Sequence, residues 1–334
     1  MNMKKWLSEM KAAKQKKAMP ILSFPSVQLL GIGVPELISS AEMQAKGMKM
    51  IAERVNASAA VSMMNLSLEA EAFGSDIRVS DDEVPTVIGR IVNTMDDAKA
   101  LKVPDARSGR TGLYIDAIGI AAKEIQDRPV FAGIIGPYSL AGRLMDVSEI
   151  MIQCYEEPDM VHIVLEKVTE FLIQYAQAYK ETGAHGVVIA EPLAGILNPQ
   201  LIEEFSTPYV RKIVDAVQSD DFIVVYHNCG NNTIVLLDSI LKTGCSAYHF
   251  GNAIDMEEMC SKVPADTLVL GNIDPSGEFR YGTPESIRQA TLGLLQKCAK
   301  HPNFIISSGC DIPPMSKWEN IDAFFAAMDE FYKQ

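Results

Sequence analysis

A histidine and two cysteines of this 334-residue chain have the types and spacing of metal ligands. His227 and Cys229 are two residues apart at the end of a predicted β-strand, so their side chains project to the same side. Cys310 follows the last predicted strand and could turn inward to meet them. One imidazole and two thiolates form a ligand set that suits zinc. On spacing alone another interpretation stays open, because isolated buried cysteines and histidines are commonly ordinary core residues.

Further polar side chains follow other predicted strands. Glu191 comes directly after the fourth strand and is predicted to supply an oxygen as a fourth, exchangeable metal ligand. Three protein ligands with one labile position are typical of catalytic rather than structural zinc. His249 ends the sixth strand and is predicted to line the site. Asn252, Asn272 and Asp274 are candidates to line its mouth and bind a cofactor, and loop capping explains them equally well.

These side chains need a scaffold that brings the ends of all strands together. Short β-branched apolar runs alternate with longer helical patterns, which is typical of βα units around a parallel sheet. In a parallel barrel the reactive groups gather at the carboxyl ends of the strands. The sequence therefore predicts the α/β class and a (β/α)8 TIM barrel, formed as a single domain by residues 1–334. The predicted strands are 20–24, 59–64, 129–135, 186–190, 222–226, 247–250, 267–270 and 304–307.

Two segments fall outside this regular alternation. Residues 1–18 are predicted to form an N-terminal helix that precedes the barrel. The segment from about 66 to 128 is long for a single βα unit, so we expect an insertion, with a loop or small hairpin near residues 73–92. The clearest helical patterns are 159–182, 199–218, 283–300 and 320–332.

Bulk composition narrows the class of partners. The formal net charge is −13, and such an acidic surface without a basic stripe argues against nucleic acid. No segment approaches the roughly 20 apolar residues that span a bilayer, which argues against a membrane. The six cysteines are irregularly spaced, and the N-terminus lacks the apolar core and cleavage site of a signal peptide. We therefore expect a protein of the reducing cytoplasm.

The chain resembles the uroporphyrinogen decarboxylase superfamily, and within it the methylcobamide:coenzyme M methyltransferase branch. The likeness covers most of the chain and is strongest from about residue 186 onward. It implies a (β/α)8 barrel with His227, Cys229 and Cys310 in the positions of zinc ligands. It also implies that Glu191 stands where that branch has an acidic residue able to complete the zinc shell. The stretches that carry the resemblance are Tyr-His-Asn-Cys-Gly at 226–230, Leu-Gly-Asn-Ile-Asp-Pro at 270–275 and Ser-Ser-Gly-Cys-Asp-Ile-Pro-Pro at 307–314.

The same resemblance implies a reaction. A methyl group would move between a corrinoid, methylcobalamin on a partner protein, and a small thiol such as coenzyme M. Zinc would activate the thiol, because the thiolate is the nucleophile and coordination to a metal removes the thiol proton. The corrinoid is expected on a separate protein, since this chain has no Asp-x-His-x-x-Gly motif. A homodimer is common in the superfamily and is a further expectation.

Three other functions compete with this one. A decarboxylase-like lyase acting on an acidic substrate is disfavoured, because no Lys or Arg lies between Lys17 and Lys46. True decarboxylases carry arginines in that region to hold the substrate carboxylates. A zinc-dependent methyltransferase with a folate donor would use a similar barrel and metal. A non-catalytic, zinc-stabilised partner of a corrinoid protein would bind zinc without turnover.

Overall fold

The computed structural model describes residues 1–333, which form the predicted α/β barrel. Seven strands make one parallel sheet in the order β1-β4-β5-β6-β7-β8-β9, so each strand pairs with the next one along the chain. The other two, β2 and β3, form a separate antiparallel hairpin. The strands are β1 (Ala60–Val61), β2 (Asp76–Arg78), β3 (Thr86–Ile88), β4 (Val130–Ile135), β5 (Gly186–Ala190), β6 (Ile223–Asn228), β7 (Ala247–Phe250), β8 (Leu268–Ile273) and β9 (Phe304–Ser308).

An extended segment, residues 18–22, closes the ring between β9 and β1, and we call it the closing segment. The backbone N–H of Met19 donates to the carbonyl of Ile306 in β9 (3.1 Å). The carbonyl of Ala18 accepts from the N–H of Ser58, just before β1 (2.8 Å). The closing segment therefore takes the position of the eighth strand.

A regular strand at 20–24 was predicted, and that prediction is wrong. Pro20 has no N–H to donate to a ladder. The N–H of Ile21 donates to the side-chain oxygen of Ser308 (3.1 Å) instead of to a carbonyl. Only a few bonds therefore join this segment to its neighbours, and β1 is likewise shorter than the predicted 59–64.

Helices cover the outside of the barrel. The predicted helix at 199–218 is interrupted at Ser206, because a new helix begins at Thr207 with Pro208 in its first turn. Within residues 1–333 no helix combines the length and the apolar composition needed to cross a membrane.

A 3₁₀ turn (Leu193–Ile196) follows β5, and a π turn (Pro275–Arg280) follows β8. The α-helices are α1 (Met3–Ala12), α2 (Ser26–Leu30), α3 (Val34–Ile38), α4 (Ala41–Arg54), α5 (Leu68–Ala72), α6 (Met95–Ala100), α7 (Arg110–Glu124), α8 (Pro137–Met145), α9 (Val147–Glu156), α10 (Pro158–Glu181), α11 (Pro199–Phe205), α12 (Thr207–Val217), α13 (Leu237–Leu241), α14 (Met256–Lys262), α15 (Pro284–Cys298) and α16 (Trp318–Lys333).

Helix α1 closes the amino-terminal end of the barrel. Asn2 caps it by accepting from the N–H of Lys5 (2.8 Å). Its apolar face buries Trp6, whose ring centroid lies 5.8 Å from that of Phe131 in β4. Met3 is fully buried in the same cluster, and its N–H donates to the carbonyl of Asp220, just before β6. With this end covered, the carboxyl end of the strands is the end left for a site.

Side chains along most of the strands alternate between two environments. One set of side chains points into the barrel and packs with α1, and the other set packs against the surrounding helices. This alternation decides which residues beyond a strand end face the barrel axis. The inward set includes Val188 and Ala190 of β5, Ile223 and Val225 of β6, Ala247 of β7, Leu268 and Leu270 of β8, and Ile305 of β9.

The hairpin lies within the long segment between β1 and β4. Asp76 pairs with Ile88 in its antiparallel ladder. The loop between its strands carries Glu83, whose carboxylate accepts from Arg280 at the end of the π turn that follows β8 (2.8 Å). The hairpin loop therefore contacts the carboxyl-terminal side of the barrel.

Candidate metal centre

The three predicted ligands meet at the carboxyl end of the barrel. His227 is the second-to-last residue of β6, Cys229 follows β6 directly, and Cys310 lies two residues beyond β9. Their ligand atoms all lie within 4.8 Å of one another. His227 is buried, whereas both cysteines are half-buried. The cluster therefore has a protein-covered side at the imidazole and a more open side at the sulfurs.

Strand alternation explains this convergence. Ile223 and Val225 point into the barrel, so His227 and Cys229 continue the same inward series. Cys310 reaches the same place by a different route, through the loop that begins at Gly309. The N–H of Gly309 donates to the carbonyl of Ile273 at the end of β8 (2.6 Å), which holds this loop over the strand ends.

Two glycines allow the loops to come this close. A Cβ atom at Gly251 would lie 2.5 Å from the Cβ of Cys229. A Cβ atom at Gly309 would lie 2.7 Å from the backbone nitrogen of Asn252. Any larger residue at either position would push the loop that carries a cysteine away from the cluster.

The imidazole of His227 is oriented by a neighbouring histidine. Its Nδ1 lies 2.8 Å from Nδ1 of His249, so these two nitrogens share a hydrogen bond. Its other nitrogen, Nε2, is buried and has no hydrogen-bond partner. A buried polar atom without a partner requires an explanation, and a bound ion is one. Here the free nitrogen belongs to the side chain that shares the cluster with both sulfurs.

The thiols of Cys229 and Cys310 have pKa values that are shifted in opposite directions. Cys310 donates its S–H to Cys229, which lowers the pKa of Cys229 and raises the pKa of Cys310. The imidazole of His227 also lowers the pKa of Cys229, against the opposing effect of burial. Cys229 is therefore the sulfur that ionises first, and it is already suited to binding a cation.

This donor set fits zinc. In tetrahedral zinc sites the sulfur and nitrogen ligands lie about 2.3 and 2.0 Å from the metal, so neighbouring ligand atoms are about 3.5–3.8 Å apart. The three atoms here lie within a 4.8 Å limit that includes such spacings. His227 Nε2 would be the nitrogen ligand, with Cys229 and Cys310 as the sulfur ligands. A fourth position would face the half-buried, more open side.

Glu191 does not join the cluster, and its prediction as the fourth ligand is wrong for this geometry. Its side chain is completely buried between the barrel and the helices. One carboxylate oxygen accepts from the N–H of Ser139 in α8 (3.2 Å), and the other accepts from the hydroxyl of Ser206 (2.9 Å). Because Val188 and Ala190 point into the barrel, the alternation along β5 directs the side chain of Glu191 outward, toward the helices. Burial raises its pKa to about 7.

A model of the uroporphyrinogen decarboxylase (URO-D) family matches residues 16–331 of this chain. This chain belongs to the uroporphyrinogen decarboxylase family. That match covers the closing segment and both cysteines of the cluster, and it leaves out only residues 1–15 and 332–334. The barrel and the position of the cluster are therefore features of a family member.

Relatives place the chain within this family. Methylcobamide:CoM methyltransferase MtbA from Methanosarcina acetivorans is 30% identical over 263 residues, which cover 77% of this chain and 75% of that protein. A solved structure of a methyltransferase from Methanosarcina mazei has a TM-score of 0.86 and 25% identity, with 99% of each chain covered. Uroporphyrinogen decarboxylase from Hydrogenovibrio crunogenus is 28% identical over 290 residues, covering 83% and 80%. The chain is an enzyme of the methyltransferase branch of the family.

His249 lies inside the barrel of this family member rather than at its mouth. It is 1% exposed, and Ala247 before it shares its inward phase. Burial and the neighbouring His227 lower the pKa of His249 well below its usual value, so the ring is neutral. The prediction that it lines the site for a cofactor is wrong in position, because it packs beneath His227 and contacts the cluster only through that ring.

The remaining three candidates have different environments. Asn252 is exposed next to the glycine that precedes Cys310, as expected for a residue at the mouth. Asn272 instead donates to the carbonyls of Gly251 (2.8 Å) and Ile254 (2.7 Å), which holds the loop after β7. Asp274 caps the π turn by accepting from two backbone N–H groups. For Asn272 and Asp274 these bonds agree with the capping explanation, and a role of either residue in binding a cofactor stays a prediction.

Two residues near the cluster were given no role by the sequence analysis. Asp311 accepts from the N–H of Met64 through one oxygen (2.6 Å), whereas its other oxygen is buried without a partner. Burial raises the pKa of Asp311 to about 8. Its position directly after Cys310 was the available signal. Ser307 lies 2.8 Å from His249 and is fully buried, but a serine inside a strand gives no chemical signal in the sequence.

Proposed function

We propose that this protein transfers a methyl group between a corrinoid and a thiol, with zinc bound by His227, Cys229 and Cys310. The observation that carries the proposal is the convergence of one free imidazole nitrogen and two sulfurs at the carboxyl end of the barrel. The kinship with methylcobamide:CoM methyltransferases gives the proposal its reaction class. The name of that relative identifies coenzyme M as its thiol, and we propose coenzyme M as the first substrate to test with this chain.

The cluster suits the activation of a thiol. When zinc is bound, it favours the deprotonated form of a thiol that takes the fourth position, which makes the sulfur nucleophilic at neutral pH. The two cysteine sulfurs keep the site electron-rich, and the half-buried side gives a small thiol access. In the transfer the thiolate sulfur forms a bond to the methyl carbon while the Co–C bond breaks. The electron pair of the broken Co–C bond stays on cobalt, which becomes Co(I), and the methylated thiol is released as a thioether.

The methyl donor would arrive on a separate corrinoid protein. The loops after β5, β6, β8 and β9 carry large apolar side chains that water reaches: Ile196 (42% exposed), Val235 (70%), Tyr281 (71%) and Met315 (45%). These loops surround the carboxyl end of the barrel, where the cluster lies. Exposed apolar side chains at the edge of a site are typical of surfaces that bind a partner. We therefore propose that the corrinoid protein docks against these loops.

The alternative of a decarboxylase-like lyase has less support. The chain between Lys17 and Lys46 has no cation to hold substrate carboxylates, and most of the closing segment consists of apolar side chains that point into the core. A lyase of that kind also has no use for an imidazole and two sulfurs brought together. A folate-dependent methyltransferase and a non-catalytic zinc protein share the proposed metal, so the choice of donor and the presence of turnover separate them from our proposal.

The deciding experiment combines metal analysis with a methylcobalamin assay. The purified protein should contain about one zinc per chain. Addition of methylcobalamin and coenzyme M should convert the methylcobalamin spectrum to that of the demethylated cobalamin. Cys310→Ala should abolish this change, whereas Cys260→Ala, which removes a buried cysteine of α14, should retain it. Zinc binding without any spectral change, with several thiols tried, would contradict the proposal.

Two further parts of the proposal concern the cellular location and the oligomeric state of the protein. All six cysteines are free, which agrees with our proposal that the protein works in the reducing cytoplasm. A homodimer is the second part, and sedimentation of the purified protein tests it. Neither part affects the assignment of the cluster.

A further inference from the structure

A chain of hydrogen bonds runs inward from the proposed metal centre to the closing segment. Nδ1 of His227 lies 2.8 Å from Nδ1 of His249, and Nε2 of His249 lies 2.8 Å from the hydroxyl oxygen of Ser307. That hydroxyl lies 2.7 Å from the backbone carbonyl oxygen of Met19. His227, His249 and Ser307 are each at most 1% exposed. We call this chain the inner relay.

The last acceptor of the inner relay fixes the direction of every bond in it. The carbonyl of Met19 can only accept, so Ser307 donates its single hydroxyl hydrogen there. The Ser307 oxygen then offers only lone pairs to His249, so Nε2 of His249 carries a hydrogen and donates. The opposite direction would leave the buried carbonyl of Met19 without a donor, which proteins avoid.

The same logic continues to the metal ligand. With its ring hydrogen on Nε2, His249 has a bare Nδ1, which can only accept. The hydrogen in the bond between the two histidines therefore belongs to Nδ1 of His227. Nε2 of His227 is left with a free lone pair, and this is the atom without a partner in the cluster. The relay thus holds the imidazole in the tautomer that a metal ion needs.

We infer that His249 and Ser307 are positioning residues that fix the tautomer and the ring orientation of His227 for metal binding. The inference rests on the zinc site of the proposed function and extends it to residues that touch neither metal nor substrate. Hydrogen-bond partners behind metal-binding histidines typically change metal affinity by 10–100-fold when they are removed. The relay also connects the closing segment to the cluster, since Met19 belongs to that segment.

Ser307→Ala tests the inference, and Ser308→Ala is its matched control. Both serines are fully buried neighbours in β9, and both bond the closing segment, but Ser308 accepts from the N–H of Ile21 and is outside the relay. The zinc affinity of each variant is measured by competition with a chromophoric chelator. We expect Ser307→Ala to lose about 10–100-fold in affinity. We expect Ser308→Ala to retain the wild-type value, and Ser307→Thr, which keeps the hydroxyl, to restore most of the affinity.

Nitrogen-15 NMR of the histidine rings reads the tautomers directly and needs no metal. The expected result for metal-free protein is a hydrogen on Nδ1 of His227 and on Nε2 of His249. In Ser307→Ala we expect this pattern to be lost. A hydrogen on Nε2 of His227 in the wild-type protein, or equal zinc affinities for both alanine variants, would overturn the inference. A wild-type protein that binds no zinc but shows the expected tautomers would contradict the proposed function and leave the relay established.

Discussion

Two groups of ionisable side chains lie near the carboxyl end of the same barrel and have opposite environments. The first is the ligand cluster of His227, Cys229 and Cys310, which points to one place inside the ring of strands. The second consists of two buried carboxylates, Glu69 and Glu191, which lie between the strands and the helices. Glu69 accepts from the N–H of Ile135 at the end of β4 (3.0 Å), much as Glu191 accepts from α8.

The ligand cluster and the buried carboxylates differ in two respects: the direction in which the side chains point, and whether their polar atoms already take part in hydrogen bonds. His227 points into the barrel, and its Nε2 atom has no hydrogen-bond partner and belongs to the cluster. Glu191 has the outward phase, and both of its oxygens already accept hydrogen bonds from the protein. A position at a strand end is therefore necessary for a role in the site but does not decide it. The decision lies in which face the residue takes and whether its polar atoms are already satisfied.

The largest expected effect comes from removing a ligand. Cys229→Ala leaves His227 and Cys310 as the only protein ligands, so zinc affinity and thiol-dependent demethylation of methylcobalamin should each fall by more than about 100-fold. Metal content after dialysis and the cobalamin spectrum measure the two effects. Cys298→Ala, a fully buried cysteine in α15, is the control and should keep its zinc. Full zinc occupancy in the Cys229 variant would remove that residue from the ligand set.

The next effect concerns pH and one of the buried carboxylates. Burial raises the pKa of Glu69 from 4.5 to about 7, so the folded state holds this proton more tightly than the unfolded state. The stabilisation is present below pH 4.5 and is lost as the pH rises through about 7. Glu69→Gln removes this loss. Relative to wild type, its free energy of unfolding should therefore rise by about 2–3 kcal/mol between pH 5 and pH 8.

Urea unfolding at several pH values measures this difference. Glu203→Gln provides the control of opposite sign, because the hydrogen bond and charge of Lys242 lower the pKa of Glu203. Its pH dependence should run in the other direction. A difference between Glu69→Gln and wild type that does not change with pH would mean that Glu69 stays ionised or solvated in the folded protein.

A smaller effect should follow Glu191→Ala. The variant leaves the N–H of Ser139 and the hydroxyl of Ser206 without their acceptor, which should cost about 1–3 kcal/mol of unfolding free energy. Zinc stoichiometry and affinity should not change, because Glu191 lies outside the cluster. Chelator competition checks the second statement. A tenfold or greater loss of zinc affinity without loss of structure would return Glu191 to the ligand shell.

The smallest effect should follow Asp274→Ala. Asp274 caps the π turn after β8, and loss of a side-chain cap costs about 1 kcal/mol. Thermal unfolding measures this change, and the demethylation rate should remain that of wild type. A large loss of activity with unchanged stability would instead support the original prediction that Asp274 binds the corrinoid.

The sequence predicted most of the barrel because its strands are apolar runs separated by helical patterns. Seven predicted strands correspond to the parallel strands, including the shortened β1. The eighth failed at Pro20, where the missing N–H prevents a regular ladder even though the neighbouring residues are apolar. The segment still completes the ring through a few bonds, and only the tertiary structure shows which ones.

The site was predictable where spacing alone fixes a common face. His227 and Cys229 are two residues apart, so they had to point the same way once β6 was recognised. Glu191 could not be assigned a face, because β5 is apolar at every position and its alternation is invisible in the sequence. Ser307 could not be found for a different reason, because its role depends on the histidine ring that it contacts across the barrel.

X-ray absorption spectroscopy of the zinc-loaded protein tests the central claim most directly. Without substrate, zinc should have two sulfur neighbours at about 2.3 Å and one imidazole nitrogen at about 2.0 Å, plus one light atom in the fourth position. After addition of the substrate thiol the number of sulfur neighbours should rise from two to three. Zinc surrounded only by nitrogen and oxygen atoms, or a sulfur count that stays at two with saturating thiol, would contradict the account.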